Sequence, residues 1–137
     1  MDIKIRKYND NDYDDVFKII KEAFSCEKSK ANSSFINEYV ACLDGNIVGY
    51  FYLLDEIDIV KNIKILHLHY ICVASKYRGM GIANEMMNFI LNYAKDNNYE
   101  RVELTSKNQR LAAHKLYEKY GFVIRDTSVY RKELVWY

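Results

Sequence analysis

The sequence predicts a single mixed α/β domain over residues 1–137, and two patterns lead to this fold class. The apolar strand Ile63–Val73, the periodic helix 82–96 and the short strand Arg101–Thr105 follow one another, and such a strand–helix–strand unit implies a parallel pair. Two further apolar segments flank Asp44-Gly45-Asn46, a typical turn of an antiparallel hairpin. We therefore expect a mixed, mostly antiparallel sheet with helices on both faces.

The first third of the chain predicts one strand and one or two helices. Ile3–Arg6 alternates apolar and polar residues, as a half-buried strand does. Asp10 or Asp12 is placed to cap a following helix. The apolar face of that helix consists of Val16, Ile19 or Ile20, and Ala23. A short second helix is expected around Phe35.

The rest of the chain predicts the hairpin, two helices and four more strands, including Ile63–Val73 and Arg101–Thr105. The hairpin strands are Tyr39–Leu43 and Ile47–Leu54. The helix over 82–96 has an apolar face formed by Ile82, Met86, Phe89, Ile90 and Tyr93. A helix over Gln109–Tyr120 precedes two closing strands, Phe122–Arg125 and Val129–Val135. The total is about seven strands and about four helices.

Composition excludes several function classes. The net charge is +1, so nothing indicates a nucleic acid or an anionic membrane as a partner. No apolar run reaches the roughly 18 residues of a membrane span, and the amino terminus does not have the pattern of a signal peptide. The cysteines, Cys26, Cys42 and Cys72, lack Cys-x-x-Cys spacing and indicate free thiols in a reducing cytoplasm. Cysteines and histidines form no metal-ligand pattern, so no metal site is expected.

Glycines stand where the strand Ile63–Val73 turns into the next helix, with Arg78 just before them. The first turn of a helix has unpaired N–H groups and partial positive charge, which suits a phosphate group. Gly79-x-Gly81 lacks the third glycine of a dinucleotide fingerprint and the Gly-Lys-Ser/Thr of a P-loop. A purely structural turn remains the alternative for these two glycines alone.

The longer pattern Arg78-x-x-Gly81-x-Ala83 resembles the acyl-CoA signature of the GNAT superfamily of N-acetyltransferases, Gln/Arg-x-x-Gly-x-Gly/Ala. Residues 113–122, in which a helix with Tyr117 ends before Gly121-Phe122, resemble the second signature of that superfamily. The resemblance implies a central splayed sheet of about seven strands with acetyl-CoA bound in its gap.

The resemblance also implies which residues contact the cofactor. Backbone N–H groups of the turn are expected around the pyrophosphate; these residues are Arg78, Gly79, Met80, Gly81, Ile82 and Ala83. Backbone groups of Ile71 and Val73, with Cys72 between them, are expected beside the pantetheine arm. Many members have an asparagine where this chain has Arg110, and nearby Asn108 is the candidate replacement.

His67 and His69 are two apart on the strand and therefore share a face. A neutral imidazole accepts a proton near physiological pH, and two of them can hold a water chain. Exposed or hydrogen-bonded strand histidines are the alternative interpretation. His-x-His at this place resembles the catalytic strand of arylalkylamine N-acetyltransferases, whose histidines relay the amine proton through water. His67 also falls where histone-acetylating members carry a glutamate base.

Tyr117 matches the tyrosine that protonates the coenzyme A thiolate in many members, and a core tyrosine is the alternative. His114, three residues earlier, is expected to lie on the helix surface. Strand alternation places Cys72 on the face opposite His69 and Ile71, which argues against a covalent acetyl-cysteine.

The resemblance implies an acetyl-CoA-dependent N-acetyltransferase in which a primary amine attacks directly in a ternary complex. A protein or peptide N-acetyltransferase and a non-catalytic acyl-CoA-binding module are the alternatives. The acceptor pocket is expected from the first helices, the 25–34 loop and the last strands, where Glu22, Glu27 and Asp55 could attract a cationic amine. The sequence leaves the oligomeric state open, with a homodimer as one possibility.

Overall fold

The computed structural model describes residues 2–134 and contains a five-stranded sheet between helices. Its strands lie in the order β1-β2-β3-β4-β5, with antiparallel pairing up to β4 and a parallel β4–β5 pair. The elements are β1 (Ile3–Lys7), α1 (Tyr13–Phe24), β2 (Ile36–Leu43), β3 (Asn46–Asp58), β4 (Ile63–Val73), α2 (Ile82–Asp96), β5 (Arg101–Glu103) and α3 (Leu111–Lys119). The predicted mixed fold class is confirmed.

The β2–β3 hairpin turns at Asp44 and Gly45, as predicted. Both residues have positive φ, 52° and 79°. Two consecutive left-handed residues match the twist of the flanking strands, which is why Asp-Gly is favoured in such turns. The turn sets the register in which Leu43 pairs with Asn46.

One face of the sheet is covered by α1. Val16, Ile19 and Ile20 of the helix are buried against the sheet. The sheet residues of this cluster are Val40, Tyr50 and Cys72. The predicted apolar face of α1 is therefore the face that packs.

The opposite face is covered by α2 and α3. The buried side chains of α2 are Ile82, Met86, Met87, Ile90 and Ala94. They pack against Phe51, Leu53, Leu66 and Leu68 of β3 and β4. The α3 helix adds Leu116 and Tyr117, and Tyr120 follows directly after the helix; all three are only partly buried. Within residues 2–134, no helix is both long and apolar enough to cross a bilayer.

Asp12, one of the two residues expected to cap α1, occupies its N-cap position, but its side chain makes no capping hydrogen bond to this helix. A short 3-10 helix, Asp10–Asp12, precedes α1, and Asn9 caps this turn instead. The Asp12 carboxylate accepts two hydrogen bonds from the Arg6 guanidinium, at 2.8 and 2.9 Å, and one from the Asn9 N–H at 2.9 Å. Asp12 therefore joins β1 to the start of α1.

Two other predictions are wrong. No helix forms around Phe35, which is exposed, because the chain begins its pairing with β3 at Ile36. Residues 122–134 contain no strand, although Phe122–Arg125 and Val129–Val135 were expected to form two; Val135 lies outside the described residues. Since β5 pairs with β4 over only three residues, it provides little edge for a further ladder.

Candidate active site

The turn between β4 and α2 is shaped to hold an anion. After the 3-10 turn Ser75–Tyr77, Gly79 and Gly81 have φ of 78° and 83°. Gly81 is the N-cap of α2 and offers no side chain to the first-turn amides. Those N–H groups therefore face outward with the positive end of the helix dipole. We call residues 78–83 the cradle.

A cavity of about 230 Å³ lies against the cradle. Its lining residues are Val73, Tyr77, Arg78, Gly79, Gly81, Ile82, Ala83 and Asn84. A Cβ atom added at Gly79 or Gly81 would meet nothing within 4 Å, so the space above both glycines is open. A phosphate group can therefore approach the backbone closely.

The β4 edge beside the cradle lacks a strand partner. Pairing between β4 and β5 ends at His67 and Glu103, so residues 68–73 present an open edge on that side within the described chain. Just beyond β5, the Ser106 hydroxyl is buried and has no hydrogen-bond partner among residues 2–134. An open strand edge can bind an extended arm that carries amide groups, and the neighbouring cradle can bind a pyrophosphate. Coenzyme A has both groups, so the two features fit it.

Four of the expected cofactor residues do not line the cradle cavity: Ile71, Cys72, Met80 and Asn108. Ile71 lies on the open β4 edge. Asn108 lies exposed in a turn of the β5–α3 loop. Arg78 donates from Nε to the Val73 carbonyl at 3.3 Å, which holds its guanidinium beside the cavity. Tyr77 and Asn84 line the cavity without having been predicted.

His67 and His69 lie on the same face of β4, as predicted, with ring centroids 6.3 Å apart. Nε2 of His67 lies 2.9 Å from the Glu56 carboxylate. Burial and the neighbouring His67 lower the pKa of His69 below its ordinary value. The His69 ring is therefore neutral over a wider pH range than a free imidazole and is available as a proton acceptor.

The expected orientation of Cys72 is wrong. Tyr52 pairs with His69 and Tyr50 with Cys72, so a step of two residues along β3 lies opposite a step of three residues along β4. Tyr70 has φ of 53° and forms this bulge, which shifts the alternation by one residue. Cys72 therefore lies on the face of His69, whereas Ile71 packs on the other. Burial raises the pKa of the Cys72 thiol to about 12, which still argues against a nucleophilic thiolate.

Tyr117 lies on the α2 side of the sheet, against Phe122 at a ring distance of 6.0 Å. Burial raises the pKa of its phenol, and Arg110 partly offsets that rise. Arg110 also covers the Phe24 ring at 4.4 Å, so it spans from the start of α3 to the end of α1. The histidines and Tyr117 therefore flank the open β4 edge from opposite faces. His114 contacts the Lys107 carbonyl at 2.9 Å and has a local role in α3.

Comparison with known proteins agrees with this geometry. Residues 3–122 match the Acetyltransferase (GNAT) family. This chain is a GNAT family member. The solved structure of the ribosomal-protein-alanine N-acetyltransferase from Brucella melitensis superposes with a TM-score of 0.82 at 19% identity, covering 98% of this chain and 100% of that one. That similarity supports the GNAT fold.

Two curated GNAT relatives have names that specify an activity. The chain is 34% identical over 96 residues to the L-amino acid N-acetyltransferase AaaT of Escherichia coli (strain K12), covering 67% of this chain and 56% of that protein. It is 39% identical over 85 residues to the N-acetylaspartate synthetase of Rattus norvegicus, covering 61% and 27%. The chain thus spans about half or less of these relatives. Their names, the family and the fold are all consistent with N-acetyltransferase activity.

A second cavity lies on the α1 face, where the sequence predicts a pocket between the first helices and the 25–34 loop; residues of β2, β3 and β4 complete its wall, and none of the expected last strands contributes. The cavity measures about 420 Å³, and its lining includes Ile20 of α1, the 27–33 segment except Lys30, and Glu38, Tyr50, Tyr52 and Tyr70. We call it the acceptor cavity, after the acceptor pocket that the sequence predicts in this region. Of the acids considered for attracting an amine, only Glu27 lines it. Two hydrogen bonds from Ser75 occupy Glu22, and the Tyr99 hydroxyl bonds to Asp55. Alternation along β2 would have placed Glu38 on this face.

Proposed function

We propose that this protein is an acetyl-CoA-dependent N-acetyltransferase whose acceptor is a primary amine. The observation that carries the proposal is the open β4 edge, residues 68–73, which runs directly into the cradle. The edge offers backbone donors and acceptors to the pantetheine arm, and the cradle offers N–H groups to the pyrophosphate. Relatives named for amino acid and aspartate acetylation support an amine acceptor.

Different residues of the chain bind different parts of acetyl-CoA. Backbone groups of Ile71 and Val73 hold the arm, and the cradle amides hold the pyrophosphate, with Arg78 adding a charge-assisted contact. Ser106 supplies a hydroxyl that lacks a partner within the described chain. Asn108 remains the candidate for a further contact from the β5–α3 loop. Acetyl-CoA, when bound, supplies the thioester from which the acetyl group leaves.

The proton transfers are assigned to the residues on the two sides of the open β4 edge, the histidines on one and Tyr117 on the other. The neutral imidazole of His69 accepts the amine proton, and a water-linked relay passes it to His67, which is partly exposed. The Val73 N–H, at the end of the open β4 edge, would donate a hydrogen bond to the thioester carbonyl oxygen. The Tyr117 hydroxyl donates a proton to the departing sulfur, since burial keeps the phenol protonated. The amine attacks directly in a ternary complex, because Cys72 is a buried neutral thiol.

The test is thiol release from acetyl-CoA across a panel of small amines and peptides. Wild type is compared with Tyr117→Phe and with the His67→Ala, His69→Ala double variant, and acetyl-CoA binding is measured separately by calorimetry. We expect turnover with small amines, a large loss of kcat in both variants, and acetyl-CoA affinity close to wild type.

Other outcomes distinguish the alternatives. Turnover only with peptides would favour a protein or peptide N-acetyltransferase. Tight acetyl-CoA binding without turnover on any acceptor would favour a non-catalytic acyl-CoA-binding module. Full activity of Tyr117→Phe would overturn the acid assignment. Free Cys26, Cys42 and Cys72 support a reducing compartment such as the cytoplasm, which localisation of the tagged protein tests.

A further inference from the structure

The ammonium group of Lys28 lies in a cage of aromatic rings on the α1 face. Its Nζ atom lies 4.9 Å from the ring centroid of Tyr8, 5.8 Å from that of Tyr13 and 5.9 Å from that of Tyr50. It also lies 2.9 Å from Oε1 of Glu38. We call these four surrounding residues, Tyr8, Tyr13, Tyr50 and Glu38, the ammonium cage.

The charged groups of Lys28 and Glu38 are largely shielded from solvent. The side chain of Lys28 is only 10% exposed and that of Glu38 is 18% exposed. The Tyr50 hydroxyl donates to Glu38 Oε1 at 2.6 Å, which fixes the carboxylate, and burial holds the pKa of Tyr50 far above its usual range. A desolvated carboxylate surrounded by aromatic faces is an arrangement that recognises alkylammonium ions.

Lys28 reaches the cage from an irregular segment and not from a helix or strand. The segment between α1 and β2 is held there by the Tyr13 hydroxyl, which donates to the Lys28 carbonyl at 2.6 Å. The Lys28 ammonium group also donates to the Ser29 carbonyl of this segment at 3.3 Å. The hydrogen bond from Tyr13 does not involve the ammonium group, so it would keep the main chain in place if the side chain left the cage.

The cage opens into the acceptor cavity and lies in line with the proposed base. Glu38 pairs with Tyr52, and Tyr52 pairs with His69, so these three side chains lie side by side across β2, β3 and β4. Two strand spacings separate Glu38 from His69, roughly 10 Å. Tyr50 and Tyr52 line the cavity between the cage and the histidine.

We propose that the ammonium cage is a subsite for the second, non-reacting ammonium group of a linear diamine or polyamine acceptor. Lys28 occupies the subsite in the free protein and is displaced when the acceptor binds. The proposal rests on the proposed function, because it assigns the acceptor of that reaction. A single amine reaching His69 would leave the cage unused, whereas a diamine of suitable length fills both places.

Calorimetric titration with cadaverine and with pentylamine, its monoamine counterpart, tests the subsite without any turnover. We expect wild type to prefer cadaverine and Glu38→Gln to weaken cadaverine binding about tenfold, with pentylamine unaffected. Lys28→Ala should tighten cadaverine binding severalfold, because the internal competitor is gone. Lys28→Gln, which keeps most of the side-chain length but not the charge, should act in the same direction and is the second variant in case alanine disturbs the segment.

Two exposed residues provide matched controls. Asp44→Asn removes one negative charge at the far end of β2, and Lys18→Ala removes one exposed lysine from α1. Neither change should alter the preference for cadaverine. Steady-state kinetics should repeat the pattern in the acceptor KM, with the KM for acetyl-CoA unchanged.

The two proposals fail in different ways. A Glu38-dependent preference for cadaverine without acetyl transfer to any amine would overturn the proposed function and support the subsite. Transfer to both amines with equal KM, lost equally in Glu38→Gln, would overturn the subsite and leave the proposed function standing. Weaker cadaverine binding in Lys28→Ala and Lys28→Gln would show that Lys28 only anchors its segment, and would also overturn the subsite.

Discussion

The ring of Tyr52 stacks on the imidazole of His69, with centroids 4.7 Å apart and an angle of 14° between the planes. The stacked phenol covers one face of the base and fixes its orientation on β4. It also contributes to the burial that, together with His67, lowers the pKa of His69. A buried imidazole beside a second one is suited to remain neutral while it accepts a proton.

The pH dependence of kcat should reflect this environment. A base is active when neutral, so activity falls only as the pH drops below its pKa. Because the pKa of His69 is lowered, the acidic limb should lie below the ordinary value of about 6.5. His67→Gln removes the charge that helps to lower this pKa, and the limb should move to higher pH. A pH profile of kcat at saturating substrates measures both positions.

An acidic limb of the wild-type kcat profile at a pH above the ordinary histidine pKa would contradict the assignment of His69 as the base. An unchanged limb in His67→Gln would show that the two rings are not coupled. Glutamine is chosen since it can retain the contact with Glu56, which lies 2.9 Å from the His67 ring.

Replacement of Tyr117 by Phe should lower kcat by roughly 10²-fold, the usual contribution of a general acid. The phenol is protonated to higher pH than an ordinary tyrosine because burial raises its pKa. Activity should therefore persist on the alkaline side beyond the normal tyrosine range of about 10. Stopped assays of thiol release across pH measure both the loss of kcat and the pH at which activity falls on the alkaline side. Tyr130→Phe, at a side chain that is 95% exposed, should leave kcat at the wild-type level.

Substitution of Gly81 by Ala should weaken acetyl-CoA binding by about tenfold or more, because the new methyl group enters the cradle. The substitution meets no atoms within 4 Å, but it places alanine at φ of 83°. Gly45→Ala is the matched control, with φ of 79° and equally open space in the β2–β3 turn. Both variants should lose about 1 kcal/mol of unfolding free energy. Calorimetry measures the loss of acetyl-CoA affinity, and chemical unfolding measures the loss of stability. Equal losses of affinity in the two variants would contradict acetyl-CoA binding at the cradle.

The pair between Arg6 and Asp12 should make the fold sensitive to acid. Hydrogen bonds from Arg6 hold the pKa of the Asp12 carboxyl below its ordinary value. Its stabilising contribution is therefore complete above the unfolded value of about 3.9 and is lost as the pH falls through the lower folded value. Asp12→Asn should reduce the unfolding free energy by about 1–3 kcal/mol at neutral pH. Unfolding in urea at several pH values measures this.

Asp126→Asn, at an exposed position outside the helices and strands, is the control for the Asp12 variant. Its unfolding free energy should equal that of wild type at every pH. The difference between wild type and Asp12→Asn should shrink as the pH falls, and a difference that stays constant would contradict the linkage.

Local sequence patterns predicted the parts of the fold that depend on neighbouring residues. The bounds of β4, Ile63–Val73, follow from one apolar run, and the Asp44-Gly45 turn follows from its left-handed backbone. The turn at Gly79 and Gly81 was likewise visible, because strand, glycines and helix are consecutive. These features need no knowledge of distant partners.

Features that depend on distant partners could not be predicted in this way. The bulge at Tyr70 has no signal in β4 alone, so Cys72 was assigned to the wrong face. Alternating apolar and polar residues in 122–134 predicted strands. Such alternation shows which side chains would share a face, but a strand also needs a neighbouring strand to pair with. Lys28 and Glu38 meet only because the segment before β2 folds over the α1 face.

The order of strands in the sheet also has a consequence for folding. All neighbouring strands are consecutive in sequence. Short turns join β2, β3 and β4, whereas β1 reaches β2 through α1, and β5 pairs with β4 after the crossover through α2. Short loops lower the entropic cost of closure and speed folding. During synthesis, the antiparallel strands with Glu38 and both histidines are complete once residue 73 has emerged. We therefore expect the wall of the acceptor cavity to fold first and the cradle to be added last.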